Sequence, residues 1–252
     1  MAMQGFPAKL RPAKIRNAVR RRWFEYQVPR TRFTDAPGIV DLGTTYGGWM
    51  IPAGLIEPGW TCYCVGAGGD VSFDLELIHR FDAKVVRAFD AVEALVDSAR
   101  EAGAGEPRFS AHHAAIATRD GPMRMQVTGD SRSQSVSSAG LYESDEFVAL
   151  PGRTLPSLMA ELGDERIDLL KIDIEGGEYD VIPTLDLPAL GVRIVSIQLH
   201  HVGTVRQARA LIEGFRAAGY DPVACRPAVK LTFARRDLLA TAATASQPPP
   251  QA

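Results

Sequence analysis

The sequence predicts an α/β protein built on a doubly wound, mostly parallel sheet. Short runs rich in β-branched and aromatic residues alternate with helical patterns, as is typical of parallel strands joined by helices. The last two predicted strands, 220–225 and 229–234, are separated by three residues, which allows a hairpin and not a parallel crossover. The sheet is therefore expected to have a reversed last strand.

Five further strands and five helices complete the predicted fold. The strands cover 60–65, 84–89, 109–116, 167–173 and 192–199. The helices cover 71–80, 91–101, 154–163, 177–183 and 204–218. Polar, serine-rich residues 129–145 are expected to form a mobile loop that covers a site.

Length and composition predict one main domain. The chain has 252 residues, of which 46% are hydrophobic, and a net charge of −2, enough for one α/β core. Residues 240–252 are rich in Ala, Ser, Gln and Pro, a composition that favours disorder. We expect a basic N-terminal arm or helix (1–36), one domain (37–238) and a disordered tail (239–252).

The N-terminal arm is strongly basic, since residues 1–32 carry nine Lys and Arg side chains against the single acid Glu25. We expect a helix here that packs Trp23, Phe24 and Tyr26 onto the domain. Weak contact of residues 9–22 with an acidic membrane surface is the alternative.

Composition also bounds the compartment and the partners. Three cysteines without a zinc-binding pattern fit a reducing compartment, and Cys62 and Cys64 are expected to be buried on one strand face. No apolar run approaches the roughly 20 residues of a membrane helix, and the N-terminus lacks an apolar signal core. We expect a cytoplasmic protein that does not bind nucleic acid, since no basic stripe accompanies the predicted site.

A glycine-rich loop, Gly66 to Asp70, lies between a predicted strand and a predicted helix. Ligands of open α/β sheets bind at this position, where glycines let the backbone approach them. Val71 replaces the third glycine of the dinucleotide motif, and Asp70 would oppose a pyrophosphate. The loop therefore suits a cationic or hydroxyl-rich ligand, and a tight turn without a ligand is the alternative.

Asp90 ends the second strand, 24 residues after Gly66, the offset at which a carboxylate reaches ribose hydroxyls. The alternative is that Asp90 caps the helix that follows it. Together with the glycine loop, Asp90 favours a nucleoside ligand without a pyrophosphate.

The stretch LLKIDIEGGEYDVI (169–182) ends an apolar strand in a group of carboxylates. Strand alternation places Asp173 and Glu175 on one face, at the same sheet edge as the glycine loop. Structural roles are the alternative: Lys171 could pair with Glu175. For Glu178 we expect a structural role at the start of the next helix, where negative charge is favoured.

His200 and His201 follow a predicted strand, and one of them is expected to project into the site. Histidine takes up a proton near neutral pH, which makes His200 and His201 candidate catalytic residues. Asp173 is the third candidate catalytic residue. A surface position is the alternative for His201. Asp173, Glu175 and His200 also form an oxygen and nitrogen donor set suited to Mg²⁺ or Mn²⁺.

The stretch Tyr46–Gly47–Gly48–Trp49 places two glycines between aromatic residues ahead of the first long strand. Such a segment permits close backbone approach to a flat or sugar-like ligand, and core packing of Trp49 is the alternative.

The run LLKIDIEGGEYDVI resembles the signature of the FkbM-type family of S-adenosylmethionine-dependent methyltransferases, which reads close to L-L-K-x-D-x-E-G-x-E. The resemblance covers about residues 41–236. Four further stretches match in order: YGGWMIP (46–52), VGAGGDVSFD (65–74), AFD (88–90) and QLHH (198–201).

The resemblance implies a class I methyltransferase (Rossmann-like) sheet and S-adenosylmethionine as the cofactor. It places Gly66 and Gly68 beside the cofactor's amino-acid portion, Asp90 at its ribose, and Asp173 with Glu175 at the reacting end. The segment that begins at Tyr46 would close over the cofactor. The predicted cofactor-binding residues are Tyr46, Gly47, Gly48, Gly66, Gly68, Asp70, Asp90, Asp173 and Glu175.

The expected function is an O-methyltransferase that acts on a hydroxyl of a sugar, glycan or specialised metabolite. The methyl group would move by direct displacement, assisted by a histidine, a divalent metal or both. The alternatives are a nicotinamide-dependent oxidoreductase and a non-catalytic nucleoside-binding or membrane-associated scaffold. A homodimer is left open.

Overall fold

The computed structural model describes residues 12–127, 136–137 and 145–245, and it is an α/β protein. Its strands are β1 (Ile39–Leu42), β2 (Trp49–Pro52), β3 (Thr61–Val65), β4 (Val85–Asp90), β5 (Phe109–His113), β6 (Ala115–Ile116), β7 (Gly121–Val127), β8 (Val136–Ser137), β9 (Phe147–Arg153), β10 (Leu169–Ile172), β11 (Ile194–Gln198), β12 (Tyr220–Arg226) and β13 (Lys230–Arg235). Its helices are α1 (Pro12–Gln27), α2 (Ser72–Phe81), α3 (Glu93–Ala102), α4 (Leu155–Leu162), α5 (Glu178–Val181), α6 (Val205–Ala217) and α7 (Arg236–Ala245).

The central sheet has seven strands in the order β12-β13-β11-β10-β3-β4-β5. All neighbouring pairs are parallel except those of β13, which runs antiparallel to both β11 and β12. The predicted mostly parallel sheet with a reversed last strand is therefore confirmed. The reversed strand lies inside the sheet, between β11 and β12, and not at its edge.

The register of the three middle strands sets the position of the predicted site. Ile172 of β10 pairs with Val65 of β3, and Val65 pairs with Phe89 of β4. The next residue along each strand is Asp173, Gly66 or Asp90, so these three residues stand side by side at the carboxyl edge of the sheet. Ligands of open parallel sheets bind at this edge.

Apolar side chains cover both faces of the sheet, as burial of parallel strands requires. On one face Phe215 of α6 stacks on Phe233 of β13, with ring centroids 4.3 Å apart. On the other face Trp49 and Trp60 are buried in the cluster that contains Cys62 and Cys64. The prediction of buried thiols at Cys62 and Cys64 is confirmed.

The hairpin of β1 and β2 was missed by sequence reasoning, which predicted no strand before residue 60. Its strands have four residues each, and the mixed polar pattern of Ile39–Leu42 gives no clear alternation. Thr232 of β13 donates a hydrogen bond of 2.7 Å to the carbonyl oxygen of Met50, which attaches the hairpin to the main sheet.

A second sheet of four strands, in the order β6-β9-β7-β8, was also missed. The predicted strand 109–116 splits, because β5 ends at His113 and β6 pairs with β9 of the second sheet. Of the predicted mobile loop 129–145, only 136, 137 and 145 are described. Val136–Ser137 form a short strand paired with β7, and the rest of that prediction lies outside the described residues.

The terminal segments correct two expectations. In α1, Phe24 is buried, but Trp23 and Tyr26 are each 58% exposed and do not pack onto the domain as predicted. At the other end, residues 239–245 of the predicted tail belong to α7, and Leu239 of that helix is buried in the core. Among the described residues, no helix combines the length and the hydropathy that a membrane crossing needs.

A pair of glycine variants tests the close approach of β3 and β10. Gly66 and Gly68 both have left-handed backbone, with φ of 69° and 62°. A Cβ at Gly66 would overlap the carbonyl oxygen of Asp173, whereas a Cβ at Gly68 has no described atom within 4 Å. Gly68→Ala should lower the free energy of unfolding by about 1 kcal/mol, the cost of the backbone conformation. Gly66→Ala should lower it by roughly 3 kcal/mol or more, because overpacking is added.

Urea denaturation of both variants without added ligand measures the difference. Equal losses for Gly66→Ala and Gly68→Ala would show that the two strand ends are not in contact.

Candidate active site

A cleft of about 740 Å³ opens at the carboxyl edge of the central sheet. This volume is in the range of small-molecule and cofactor sites. The cleft brings together all nine residues that were predicted to bind the cofactor. They are Tyr46, Gly47, Gly48, Gly66, Gly68, Asp70, Asp90, Asp173 and Glu175.

The glycine loop is held by the neighbouring strand. The buried Lys171 of β10 donates a hydrogen bond from its Nζ to the carbonyl oxygen of Gly66, and the Asp173 backbone N–H donates to Val65 at 3.0 Å. Gly66 is therefore required by the contact between strands, while Gly68 leaves open space above the loop. Lys171 therefore stabilises the glycine loop, a role that is distinct from the pairing with Glu175 considered as the structural alternative.

Asp90 is fixed by backbone groups on both sides. Its Oδ2 accepts from Gly68 N–H at 2.9 Å and its Oδ1 accepts from Val92 N–H at 2.9 Å, so it orders both the glycine loop and the turn before α3. Burial raises the pKa of Asp90 above its ordinary value, against the hydrogen bonds from Val92 and Gly68 that lower it. Each oxygen keeps a second lone pair that can accept from a ligand hydroxyl.

The loop between β1 and β2 lies against the cleft and is attached at two points. Asp70 accepts from the Thr44 hydroxyl and, at 3.1 Å, from the Ser72 backbone N–H. Burial alone would raise the pKa of Asp70, but the hydrogen bonds from Ser72 and Thr44 outweigh it and keep the pKa below its ordinary value. Lys230 donates to the carbonyl oxygen of Tyr46 at 3.0 Å, while the Tyr46 side chain is 87% exposed.

The buried carboxylate of Glu178 joins the segment after β10 to the end of β11. Its Oε2 accepts from Gly176 N–H at 2.8 Å. Its Oε1 accepts from the His200 backbone N–H at 2.7 Å and contacts His200 Nδ1 at 3.0 Å. Glu178 lies in the first turn of α5, as expected, and this fully buried side chain has a further structural role, because it orients the His200 ring.

His200 brings the predicted carboxylates together, with its Nε2 3.3 Å from Glu175 Oε2 and 3.7 Å from Asp173 Oδ1. Burial alone would lower the pKa of His200. The hydrogen bond and charge of Glu178, followed by the charges of Asp173 and Glu175, outweigh burial and raise it to about 9. The imidazole therefore carries a proton at neutral pH when no other cation is near, which does not suit the predicted role of His200 as a base.

Glu175 adopts left-handed backbone, with φ of 52°, directly before Gly176. Non-glycine residues seldom adopt this conformation, and such strain is concentrated at functional sites. It turns the chain after β10 so that Asp173 and Glu175 both line the cleft.

His201 does not line the cleft, in contrast to Asp173 and Glu175. Burial and the positive charges of His200, Arg20 and Arg21 lower the pKa of His201. The structure thus separates the histidine pair, and the predicted catalytic role of His201 is not supported by its position.

Sequence reasoning missed the basic side of the cleft, formed by Arg226 and Lys230. Because β13 is reversed, its first residue lies at the carboxyl edge, where Lys230 pairs with Gln198 of β11. Arg226 forms an ion pair with Asp41, with Nε and Oδ1 3.1 Å apart. The predicted hairpin turn at 226–228 was the signal that could have placed both side chains here. Ile116 and Met125, from the missed second sheet, form part of an apolar wall.

The fold and the cleft define the class of protein. A seven-stranded sheet with this order, one reversed strand between β11 and β12, and a cleft at the carboxyl ends of β3, β4 and β10 is a class I methyltransferase fold.

The model of the methyltransferase FkbM domain matches residues 65–222, and the chain belongs to this family of S-adenosylmethionine-dependent methyltransferases. The resemblance inferred from the carboxylate motif is therefore confirmed. Membership favours the methyltransferase prediction over a nicotinamide-dependent oxidoreductase or a non-catalytic scaffold.

A curated relative is the AMB antimetabolite synthetase AmbE of Pseudomonas aeruginosa, 41% identical over 73 residues. The match covers 27% of this chain and 3% of the length of the relative.

Solved structures with a similar fold include the fibrillarin pre-rRNA processing protein of Methanococcus jannaschii, with 10% identity and a TM-score of 0.43 over 82% of this chain and 86% of that chain. They also include TrmK of M. capricolum in complex with S-adenosyl-homocysteine, with 9% identity and a TM-score of 0.42 over 73% of this chain and 65% of that chain.

The residues of the cleft fit S-adenosylmethionine. Asp90 presents a backbone-fixed carboxylate to a diol, and Gly68 provides open space beside it. The other end of the cleft is acidic, with Asp173 and Glu175, as a cationic sulfonium favours. Apolar side chains suited to a flat base also line the cleft: Leu95, Ala114, Ile116 and Met125.

Substitution of Glu178 tests the connection between β10 and β11. Glu178→Gln replaces one acceptor oxygen by an amide group that cannot accept from the N–H groups facing it, and it leaves buried donors unpaired. The variant should lose about 2–4 kcal/mol of unfolding free energy, measured by urea denaturation.

Asp180→Asn is the matched control, since Asp180 lies on the same short helix but is exposed. It should change the free energy by less than about 0.5 kcal/mol. A Glu178→Gln variant as stable as this control would contradict the assignment.

Proposed function

We propose that the protein is an S-adenosylmethionine-dependent O-methyltransferase that acts on a hydroxyl of a sugar, glycan or specialised metabolite. One observation carries the proposal: a single cleft is lined by Asp90 at the end of β4 and by Asp173 and Glu175 after β10, and the buried His200, after β11, contacts both of these carboxylates. Two strand spacings, about 10 Å, separate the ends of β4 and β10. A nucleoside that carries an amino-acid chain can bridge this span.

The chain's own residues supply position and charge. Asp90 accepts hydrogen bonds from the ribose hydroxyls, and the loop of Gly66 and Gly68 leaves room for the amino-acid portion. Asp173 and Glu175 face the sulfonium and the acceptor. When bound, the cofactor supplies a methyl group that leaves a cationic sulfur as the new bond to the acceptor oxygen forms. Alignment of this kind is worth up to roughly 7–11 kcal/mol of the barrier.

A hydroxyl acceptor must lose its proton, and the cluster at the ends of β10 and β11 is the place for this step. Glu178 holds the His200 ring so that Nε2 faces Asp173 and Glu175. Gln198 and Lys230 also line the cleft, and we place the acceptor beside them.

The similarity to AmbE supports a specialised metabolite as the acceptor, because that relative is a synthetase of an antimetabolite. The shared stretch covers 27% of this chain. We extend to this chain the class of substrate and not the particular compound.

Replacement of Asp90 tests the cofactor site. In isothermal titration with S-adenosylhomocysteine, Asp90→Asn should weaken binding by about 10–100-fold, since hydrogen bonds to a charged acceptor are worth about 1.5–3 kcal/mol. An analogue of S-adenosylhomocysteine that lacks both ribose hydroxyls should bind the unaltered protein more weakly by a similar factor.

Measuring both ligands on both proteins distinguishes the loss of ribose binding from general damage to the glycine loop. If Asp90 binds the ribose, Asp90→Asn should bind both ligands almost equally, while the control Asp97→Asn, an exposed acid on α3, should behave like the unaltered protein. An unaltered protein that binds neither ligand at millimolar concentration would rule out the proposed function.

A further inference from the structure

Three donor atoms of different residues converge at the acidic end of the cleft. His200 Nε2 lies 3.3 Å from Glu175 Oε2 and 3.7 Å from Asp173 Oδ1, and one ligand atom from each of the three residues lies within 4.8 Å of the other two. A cation with bonds of about 2.1 Å to ligands at right angles holds neighbouring ligand atoms roughly 3 Å apart. Against this value of roughly 3 Å, the distance from His200 to Glu175 (3.3 Å) needs only a small contraction, and the distance from His200 to Asp173 (3.7 Å) a larger one that rotation of the Asp173 side chain can supply.

The His200 ring is fixed in the orientation that a metal ligand requires. The residue is only 8% exposed, and its Nδ1 contacts the fully buried Glu178 at 3.0 Å. When neutral His200 donates its Nδ1 hydrogen to this carboxylate, the Nε2 lone pair points at Asp173 and Glu175. Metal-binding histidines in proteins are oriented by a carboxylate in this way.

In the cluster, the residue that orients the histidine is buried, whereas the carboxylate ligands face the cleft, as expected for a catalytic metal site. Glu178 and His200 are buried, whereas the Asp173 and Glu175 side chains are 22% and 32% exposed and line the cleft. The Gln198 amide lies 3.3 Å from His200 Nε2 and also lines the cleft. Rotation of this amide presents its oxygen, a further ligand of the type that hard cations accept.

We propose that Asp173, Glu175 and His200 bind a divalent cation of the Mn²⁺ or Mg²⁺ class, and that this cation activates the acceptor hydroxyl. Two carboxylate oxygens and one imidazole form a hard to borderline donor set. Three protein ligands leave coordination positions open for an acceptor.

The inference rests on the proposed function and specifies its chemistry. The cation binds the acceptor oxygen and lowers the pKa of the hydroxyl, whose proton passes to water. The oxygen–methyl bond then forms as the methyl–sulfur bond breaks, and the electron pair of that bond stays on the departing sulfur. Glu178 is a positioning residue in this scheme, because it acts through His200.

Titration of the EDTA-treated 252-residue chain with Mn²⁺ tests the site. The electron paramagnetic resonance signal of free Mn²⁺ reports binding without any enzymatic assay. We expect one ion per chain, with affinity reduced at least tenfold in Asp173→Asn and in His200→Gln. Glu178→Gln should reduce it by about 10–100-fold, the usual effect of losing a residue that orients a ligand.

Asp180→Asn is the control, since this exposed acid lies seven residues from Asp173 and outside the cluster. Its Mn²⁺ affinity should equal that of the unaltered protein. Circular dichroism confirms that each variant is folded, and Asp173→Asn keeps the test usable if His200→Gln does not fold. Absence of binding at millimolar Mn²⁺, or equal binding by Asp173→Asn and the unaltered protein, would overturn the proposal.

Titration of the same samples with S-adenosylhomocysteine keeps the two hypotheses separate. Protein that binds S-adenosylhomocysteine but not Mn²⁺ would contradict the cation site alone. Protein that binds Mn²⁺ through Asp173 and His200 but not S-adenosylhomocysteine would support the cation site and contradict the methyltransferase function.

Discussion

The acidic end of the cleft depends on one buried carboxylate, that of Glu178. It accepts hydrogen bonds from Gly176 and His200, which belong to segments that follow β10 and β11. A buried carboxylate is stabilised only when it is hydrogen-bonded, so the two segments are held together at a fixed distance. That distance places Asp173, Glu175 and His200 in one cluster, and every chemical role that we assign to these residues follows from it.

The remainder of the cleft is set by the register of the sheet. Because β10, β3 and β4 end at the same level of the sheet, strand register alone places Asp173, Gly66 and Asp90 side by side. Side chains then adjust the loop: Lys171 reaches Gly66, and Asp90 binds the backbone of Gly68. The hairpin of β1 and β2 and the second sheet add further lining residues to a cleft whose position is set by β10, β3 and β4.

Much of this arrangement could be predicted from the sequence, since the parallel strands are long apolar runs and the carboxyl edge of such a sheet binds ligands. The contact of Glu178 with His200 could not be predicted, because strand and helix periodicity say nothing about a hydrogen bond between residues 22 positions apart. The second sheet was missed because β7 and β9 contain Pro122, Pro151 and Gly152, which favour turns in a local interpretation. Lys230 was missed because its position depends on β13 lying beside β11 inside the sheet, and the order of the strands was not predicted.

The central claim is that the cleft binds the cofactor with its nucleoside at Asp90 and its sulfur toward Asp173 and Glu175. A crystal structure of the protein grown with S-adenosylhomocysteine tests it most directly. We predict ribose hydroxyls within hydrogen-bonding distance of Asp90 and a sulfur atom on the side of the His200 cluster. A ligand bound outside this cleft, or bound with its ribose at the carboxylates of β10, would contradict it.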